Sequence, residues 1–197
     1  MKQLSKNNLH IALLHYPVLG KTGEIIASAI TNLDLHDIAR ASTTYGVQSY
    51  QVVIPLDDQR RIAKDICNHW TSGYGSRSNP DRKKSFELIN ISSDLDAAKN
   101  HIIQTTGYSP QLIATTAQMI DGCLSYEKCR HLAYSEKPLL LIFGTAWGLS
   151  KDFIEQCDHV LEPIEPHREY NHLSVRSAVS IILDRLLGDF HNKKLDF

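Results

Sequence analysis

Three groups of residues in this chain have the types and the spacing to do chemistry. Gly144-Thr145-Ala146-Trp147-Gly148 places two glycines four positions apart directly after the apolar run Pro138–Phe143. A glycine turn at the carboxyl end of a strand lets the backbone approach a ligand closely, and open α/β sheets bind their ligands at that edge. The plainer alternative is a strand-to-helix turn that needs glycine only for its positive φ. Asn32, His36 and Arg40 stand at i, i+4 and i+8, so one helix face would carry an amide, an imidazole and a guanidinium able to hold a substrate. Periodicity alone favours a different arrangement, with Asn32 capping the helix and Asp37 paired to Arg40 on a solvated face. Basic residues gather at Arg60, Arg61 and Lys64, and again at Arg77, Arg82, Lys83 and Lys84, the second group close in sequence to Trp70 and Tyr74. Cations beside aromatic faces suit phosphates and unstacked bases; a solvated charged loop is the competing reading.

Other patterns exclude function classes. Leu19-Gly20-Lys21-Thr22-Gly23 contains Gly-Lys-Thr, but a phosphate loop needs a glycine where His15 stands, and Pro17 has no N–H to offer a phosphate. A surface loop is expected there. No GxGxxG follows any expected strand, so a dinucleotide oxidoreductase has no support. His15, at the end of the first strand, reads as a satisfied strand-end histidine rather than a base. Cys67, Cys123, Cys129 and Cys157 show neither CxxC spacing nor a paired-histidine motif, so reduced thiols and no metal site are expected.

The elements that must position these residues alternate short apolar runs with stretches of helical period, the pattern of a parallel sheet covered by helices on both faces. Strands are expected at His10–Tyr16, Tyr50–Pro55, Phe86–Ile91, Gln111–Thr115, Pro138–Phe143 and around Val160. Pro138–Phe143, the most continuous apolar run, belongs mid-sheet. Helices are expected at Leu33–Tyr45, ended by Gly46; at Asp57–Trp70, with Ile62, Ile66 and Trp70 buried; and at Ser93–Thr106, Leu124–Tyr134 and Leu173–Leu187. Thr71–Pro80, rich in Gly and Ser, reads as a loop. A chain of 197 residues, 42% of them hydrophobic, fills one domain. Lys and Arg number 21 against 22 Asp and Glu, so no global field draws nucleic acid and any RNA must meet local patches. The polar Met1–Asn8 and the short apolar run Ile11–Leu14 make neither a signal peptide nor a membrane span, and a cytoplasmic protein is expected.

Read in order, three segments resemble the SPOUT methyltransferases, RNA-modifying enzymes whose C-terminal chain is threaded through a loop to make a deep trefoil knot. Asn32-x-x-x-His36-Asp37-Ile38-Ala39-Arg40, with Tyr45-Gly46 beyond it, is similar to the family's early motif of Asn, Arg and an aromatic residue before Gly. Leu139 to Leu149 is similar to the strand and glycine loop that begin the cofactor site. Leu161-Glu162-Pro163-Ile164, followed by Tyr170 to Ala178, is similar to the proline loop and helix entry that close it. Within the superfamily, His15-Tyr16-Pro17-Val18, Ile30 to Asp34 and Asn79-Pro80-x-Arg82 resemble a small stand-alone bacterial group related to the tRNA (guanine-N1)-methyltransferases. The chain departs from those enzymes in lacking an evident C-terminal substrate domain. It departs from the ribose-methylating branch in carrying Ala146-Trp147 where that branch has an acidic residue.

The resemblance implies an α/β fold, a Rossmann-like parallel-sheet core in a single domain over 1–197, with a knot at about 139–188. It implies S-adenosyl-L-methionine (AdoMet) as cofactor and methyl transfer to a base or ribose of tRNA or rRNA; a knotted AdoMet- or nucleotide-binding module without that activity is the alternative. The cofactor pocket would be lined by Thr115, Phe143, Gly144, Thr145, Gly148, Leu161, Pro163, Ile164, Asn171, Leu173, Ser174 and Ala178. Backbone groups of Thr145, Gly148, Leu161, Ile164 and Leu173 would read the adenine and ribose. Arg40, Asn32 and Asp37 would be catalytic, with His36 an equal candidate base, and Arg77, Arg82, Lys83 and Arg40 would meet the RNA. Methyl transfer from a sulfonium needs no metal, and family members form homodimers, so the Leu173–Leu187 or Leu33–Tyr45 helix is expected at an interface.

Overall fold

Every residue of the first strand, β1 (Leu9–Leu14), is buried, as a strand covered on both faces requires. The structure, a computed structural model, describes residues 7–165, 167–168 and 170–188. After β1 comes a small antiparallel hairpin, β2 (Val18–Leu19) with β3 (Ile25–Ile26). Helix α1 (Asn32–Thr44) is capped by Thr31, whose hydroxyl accepts the Asp34 N–H at 3.1 Å, so Asn32 is the first helical residue and not the cap. Gly46, at φ 69°, ends that helix in the left-handed conformation.

Strand β4 (Ser49–Val53) leads into α2 (Asp57–Thr71). This helix buries Ala63 and packs Ile66 and Trp70 against the core, while Ile62 is turned away and 46% exposed. The stretch expected as a loop holds two short helices, α3 (Tyr74–Ser78) and α4 (Pro80–Phe86). Asn79 caps the second by accepting the Arg82 N–H at 3.0 Å, with Pro80 in the first turn. Phe86 is thus a buried helix residue, and the next strand, β5, begins only at Ile89 and runs to Ser92. Then follow α5 (Leu95–Thr106), capped by Asp94; β6 (Gln111–Ala114); α6 (Tyr126–Ala133), capped by Ser125; β7 (Leu139–Gly144); α7 (Lys151–Ile154); β8 (His159–Val160); and α8 (Val175–Leu187), capped by Ser174.

The six strands form one sheet in the order β5-β4-β1-β7-β6-β8, every neighbouring pair parallel. β1 and β7 are the central pair, which is why β7 reads as an apolar run from Leu139 to Phe143 and β1 departs from one only at His10. Alternation divides the core into two layers. Leu9, Ile11 and Leu13 face Leu35, Ile38, Phe86, Val179 and Leu183, whereas Ala12 and Leu14 share the other layer with Ala98, Ile102, Leu140 and Ile142. Registering Leu14 with Gly144 brings the carboxyl ends of β1 and β7 level.

All four cysteines are free. Burial pushes the thiols of Cys67 and Cys157 up to about 11 and that of Cys129 up to about 12, leaving them protonated and unreactive near neutral pH. Among the described residues no group of three or more His, Cys, Asp or Glu could hold a metal ion, and no helix is long and apolar enough to cross a membrane.

Candidate active site at the carboxyl edge of the sheet

The site begins where β7 stops. A Cβ on Gly144 would lie 2.7 Å from the Leu149 nitrogen and 2.8 Å from the Gly148 carbonyl carbon, so backbone crosses backbone at a distance only glycine permits. The turn beyond it is left-handed at Ala146 (φ 52°) and Gly148 (φ 98°), and closes with the Gly148 N–H on the Thr145 carbonyl at 2.9 Å. Thr145 donates both its N–H (3.2 Å) and its hydroxyl (3.0 Å) to the Leu14 carbonyl at the end of β1. That hydroxyl also meets Ser28 Oγ at 2.5 Å, and Ser28 Oγ meets His15 Nδ1 at 2.9 Å. A hydroxyl has one proton, so with Thr145 donating to Leu14 the chain runs one way: Ser28 donates to Thr145 and His15 Nδ1–H donates to Ser28. Burial depresses the His15 pKa to about 4, which keeps this imidazole neutral at pH 7.

The hairpin is part of the same assembly. Leu19 N–H donates to the Gly148 carbonyl at 2.9 Å, Trp147 N–H donates to the Leu19 carbonyl at 3.1 Å, and Val18 bridges Leu149. The Gly-Lys-Thr segment is therefore not simply a surface loop: Lys21, Thr22 and Gly23 form its exposed tip, while its base is paired to the glycine turn.

Around the turn lie the other expected cofactor residues. Thr115, just past β6, donates its N–H and its hydroxyl to the Ile142 carbonyl at 3.0 and 2.9 Å. The Phe143 side chain is buried in the core, which leaves its backbone for the edge. Leu161 is buried too, and its N–H donates to the Ala114 carbonyl at 2.9 Å. The N–H groups of Thr145, Gly148 and Leu161, among the backbone groups expected to meet an adenine and ribose, already have partners inside the fold. Pro163 is buried, and Asn171 Nδ2 donates to the Ile164 carbonyl at 3.0 Å, tying the two ends of the proline loop. Leu173 is exposed, Ser174 accepts the Ser177 N–H at 3.2 Å as the cap of α8, and Ala178 is half-buried one turn on.

On α1, Asn32 and Arg40 are exposed. Asp37 does not pair with Arg40: its carboxylate lies 3.3 Å from Arg176 Nε on α8, and Arg176 Nη1 reaches the buried Asp34 at 3.0 Å. His36 sits edge-on to Phe86 and Trp70, with ring centroids 4.6 and 5.4 Å away. Its pKa is lowered first by burial and then by the Arg82 and Arg40 charges, against the opposing pull of Asp37. The Arg82 guanidinium lies over Trp70, 4.6 Å from the ring centroid, with its buried Nε lacking a hydrogen-bond partner. Arg40, His36, Arg82 and Trp70 thereby form one cluster from three helices. Arg77 is exposed on α3, and Lys83 stands 4.0 Å from Glu87. The other basic group is internally occupied: Arg60 donates to the carbonyls of Ile54 (2.8 Å) and Pro55 (2.6 Å) and pairs with Asp57, while Arg61 pairs with Asp58 at 3.0 Å.

A cleft of about 590 Å³ opens elsewhere, at the amino ends of the strands, lined by Asn8, His10, Ser49, Asn90, His101 and Glu136 among others. Its lining is mostly uncharged amides and hydroxyls and includes neither a glycine nor a lysine or arginine. The carboxyl edge is where parallel α/β sheets bind ligands, and the backbone constraints gather there.

A parallel α/β sheet with a glycine turn at the end of its central strand, together with a cluster of guanidinium and aromatic groups on α1, α2 and α4, is an arrangement of the class suited to handling a nucleotide. Residues 8–188 match the SAM-dependent RNA methyltransferase family, and the chain belongs to it. A tRNA (guanine-N(1)-)-methyltransferase of Oleidesulfovibrio alaskensis is 46% identical over 182 residues, covering 92% of this chain and 42% of that protein. The chain thus spans less than half the length of that relative. A protein of Aquifex aeolicus is 39% identical over 182 residues, 92% of this chain and 89% of its own. Among solved structures, a methylase family protein from Neisseria gonorrhoeae superposes with a TM-score of 0.63 at 13% identity, over 98% of this chain and 87% of that one, a likeness of fold.

Proposed function

We propose that this chain binds AdoMet among the carboxyl-edge loops and directs its methyl group to a base or ribose of tRNA or rRNA. The observation that carries the reading is Gly144, where the backbone crossing leaves no room for a side chain and shapes a turn with glycine at both ends, at the carboxyl end of the central strand. Around it, Thr115, Phe143, Thr145 and Gly148 form one wall. Leu161, Pro163, Ile164, Asn171, Leu173, Ser174 and Ala178 form the other. Bound there, AdoMet supplies an electrophilic methyl on a sulfonium. The protein's own task is alignment and management of the acceptor's proton. Arg40 and Arg82 would hold the nucleotide by charge, with Arg77, Lys83 and Asn32 around them. His36, neutral beside two guanidiniums, and Asp37, held by Arg176, are the groups able to accept a proton.

A trefoil knot over about 139–188 is supported by the hydrogen bonds that bracket residues 160–162. On one side Leu161 donates to Ala114; on the other Leu124 donates to Val160 and Glu162 donates to Leu124. Since 114 to 124 is one continuous stretch of chain, residues 160–162 are bonded to both of its ends before the chain reaches α8, which packs against α1 and α6, as a threaded segment would be. We read 1–197 as a single methyltransferase domain acting in the cytoplasm as a homodimer. Exposed Leu33 and Leu173 at the starts of α1 and α8 offer apolar area for a second copy. The guanine-N1 specificity in the relative's name belongs to a protein more than twice the matched length, so the acceptor atom is left as a base or ribose position.

The test is calorimetric titration of the purified chain with AdoMet, followed by methyl incorporation into total RNA from labelled cofactor. Binding and incorporation are both expected. Binding without incorporation would make the chain a cofactor-holding module instead. Nucleoside mass spectrometry of cells with and without the protein then names the product.

A further inference from the structure

Trp147 is 59% exposed although its backbone is one of the most constrained in the molecule. Its N–H is tied to Leu19, the residue before it is left-handed at Ala146, and the residue after it is left-handed at Gly148. A left-handed alanine is a strained conformation, held here between hydrogen bonds that the hairpin and Thr145 make to the turn. The same turn is anchored through Thr145 by the directional Thr145–Ser28–His15 chain. The fold thus fixes the backbone that carries a large aromatic ring while leaving most of that ring free to meet a ligand at the edge of the glycine turn.

We propose that Trp147 stacks on an unstacked base of the RNA substrate at the mouth of the cofactor loops, an inference that rests on the methyltransferase reading above. RNA is recognised chiefly where its bases are splayed out onto aromatic faces. An indole offers the largest such face of any side chain and one N–H donor at its edge. Stacking tolerates any base, so Trp147 would serve to present a nucleotide while residues on α1 and α4 fix its phosphate. The hairpin acquires a role that its abortive Gly-Lys-Thr motif did not give it: it is the strap that fixes the backbone carrying this ring.

The experiment compares wild type, Trp147→Ala and Trp147→Phe in filter binding to total transfer RNA and total ribosomal RNA, which needs no turnover, with AdoMet calorimetry on the same proteins. Loss of a stack is expected to weaken RNA binding roughly 5- to 100-fold in Trp147→Ala, with substantial recovery in Trp147→Phe. AdoMet affinity should stay at the wild-type value in both. Tryptophan fluorescence should be quenched by RNA in wild type and less so in Trp147→Phe, which retains only Trp70. Unchanged RNA affinity in Trp147→Ala, or absence of RNA binding by wild type, overturns the proposal; so does a parallel loss of AdoMet affinity, which would make the indole a cofactor-loop support. A change in oligomeric state with RNA affinity intact would assign the ring to a second copy and also overturn it. Failure of the methyltransferase reading shows separately, as RNA bound without methyl incorporation.

Discussion

His10 and His15 stand at opposite ends of β1, both buried, and each anchors a polar network. At the amino end, His10 Nδ1 meets Ser49 Oγ at 2.7 Å, Gln51 Nε2 donates to Ser49 Oγ at 2.8 Å, and the same amide lies 3.2 Å from His101 Nδ1. These groups back onto the 590 Å³ cleft. At the carboxyl end, the His15 network fixes a turn with two left-handed residues and a glycine at which no Cβ fits. Cavity volume records where side chains fail to fill space. Backbone held in costly conformations records where the fold is committed to a shape, and such commitments cluster at functional sites.

The sharpest way to break that contrast is Gly144→Val. A Cβ there meets backbone atoms that cannot swing aside, so AdoMet binding is expected to vanish from calorimetric titration while circular dichroism shows a folded protein. Retained binding would move the cofactor away from the turn. Arg40→Ala tests the helix cluster instead. As an exposed residue without a structural partner among the described ion pairs, its loss should leave AdoMet affinity alone and lower kcat/KM for RNA roughly 10- to 100-fold, the effect of one charged hydrogen bond. Loss of cofactor affinity would reassign Arg40 to the pocket.

The His15 network predicts a pH response of defined sign. His15 has a folded pKa of about 4 against 6.5 for an ordinary histidine, so between these values the unfolded chain binds the extra proton. Stability is therefore complete above about pH 6.5 and is lost as pH falls toward 4, by about 3 kcal/mol at 1.36 kcal/mol per decade. Urea denaturation at stepped pH should show this loss, and His15→Gln, which can still donate to Ser28, should flatten it. An unchanged slope in the variant would mean that other groups dominate the acid response.

How much of this was legible before the fold was known depended on the range of each interaction. Pro138–Phe143 was recognisable as a central strand because burial on both faces leaves no polar alternation, and the Gly144–Gly148 turn followed from it. Phe86 was misassigned because Gly73, Gly75, Ser76, Ser78 and Pro80 read collectively as loop, although Asn79-Pro80 is a helix start of ordinary type. The hairpin was invisible because strands of two residues have no period. Arg176 went unnoticed as a site residue because its partner Asp34 lies 142 positions away, and no local pattern encodes such a pair. That pair is itself testable. Arg176→Met leaves Asp34 buried without its cation, which should cost about 1–3 kcal/mol, the lower part of the range for buried pairs because Arg176 keeps 30% of its surface in solvent. It should also weaken AdoMet binding, since α8 begins at the proline-loop exit. Asp34→Asn in the same background should restore much of the stability; no recovery would show that Arg176 acts by packing.

The smallest expected effect is the most informative about the two ends of β1. His101→Ala opens the amino-end cleft further and removes one member of its network, yet Gln51 still donates to Ser49 Oγ and His101 is only half-buried on α5. The stability cost should therefore be of the order of a single neutral hydrogen bond, about 1 kcal/mol. AdoMet affinity and methyl transfer should not change, because the described hydrogen bond of the His101 ring goes to Gln51 and not to the turn at Gly144, and α5 packs chiefly on β4 and β5. Measurable weakening of cofactor binding in His101→Ala, with Gly144→Val still binding, would invert the comparison and place the ligand in the amino-end cleft.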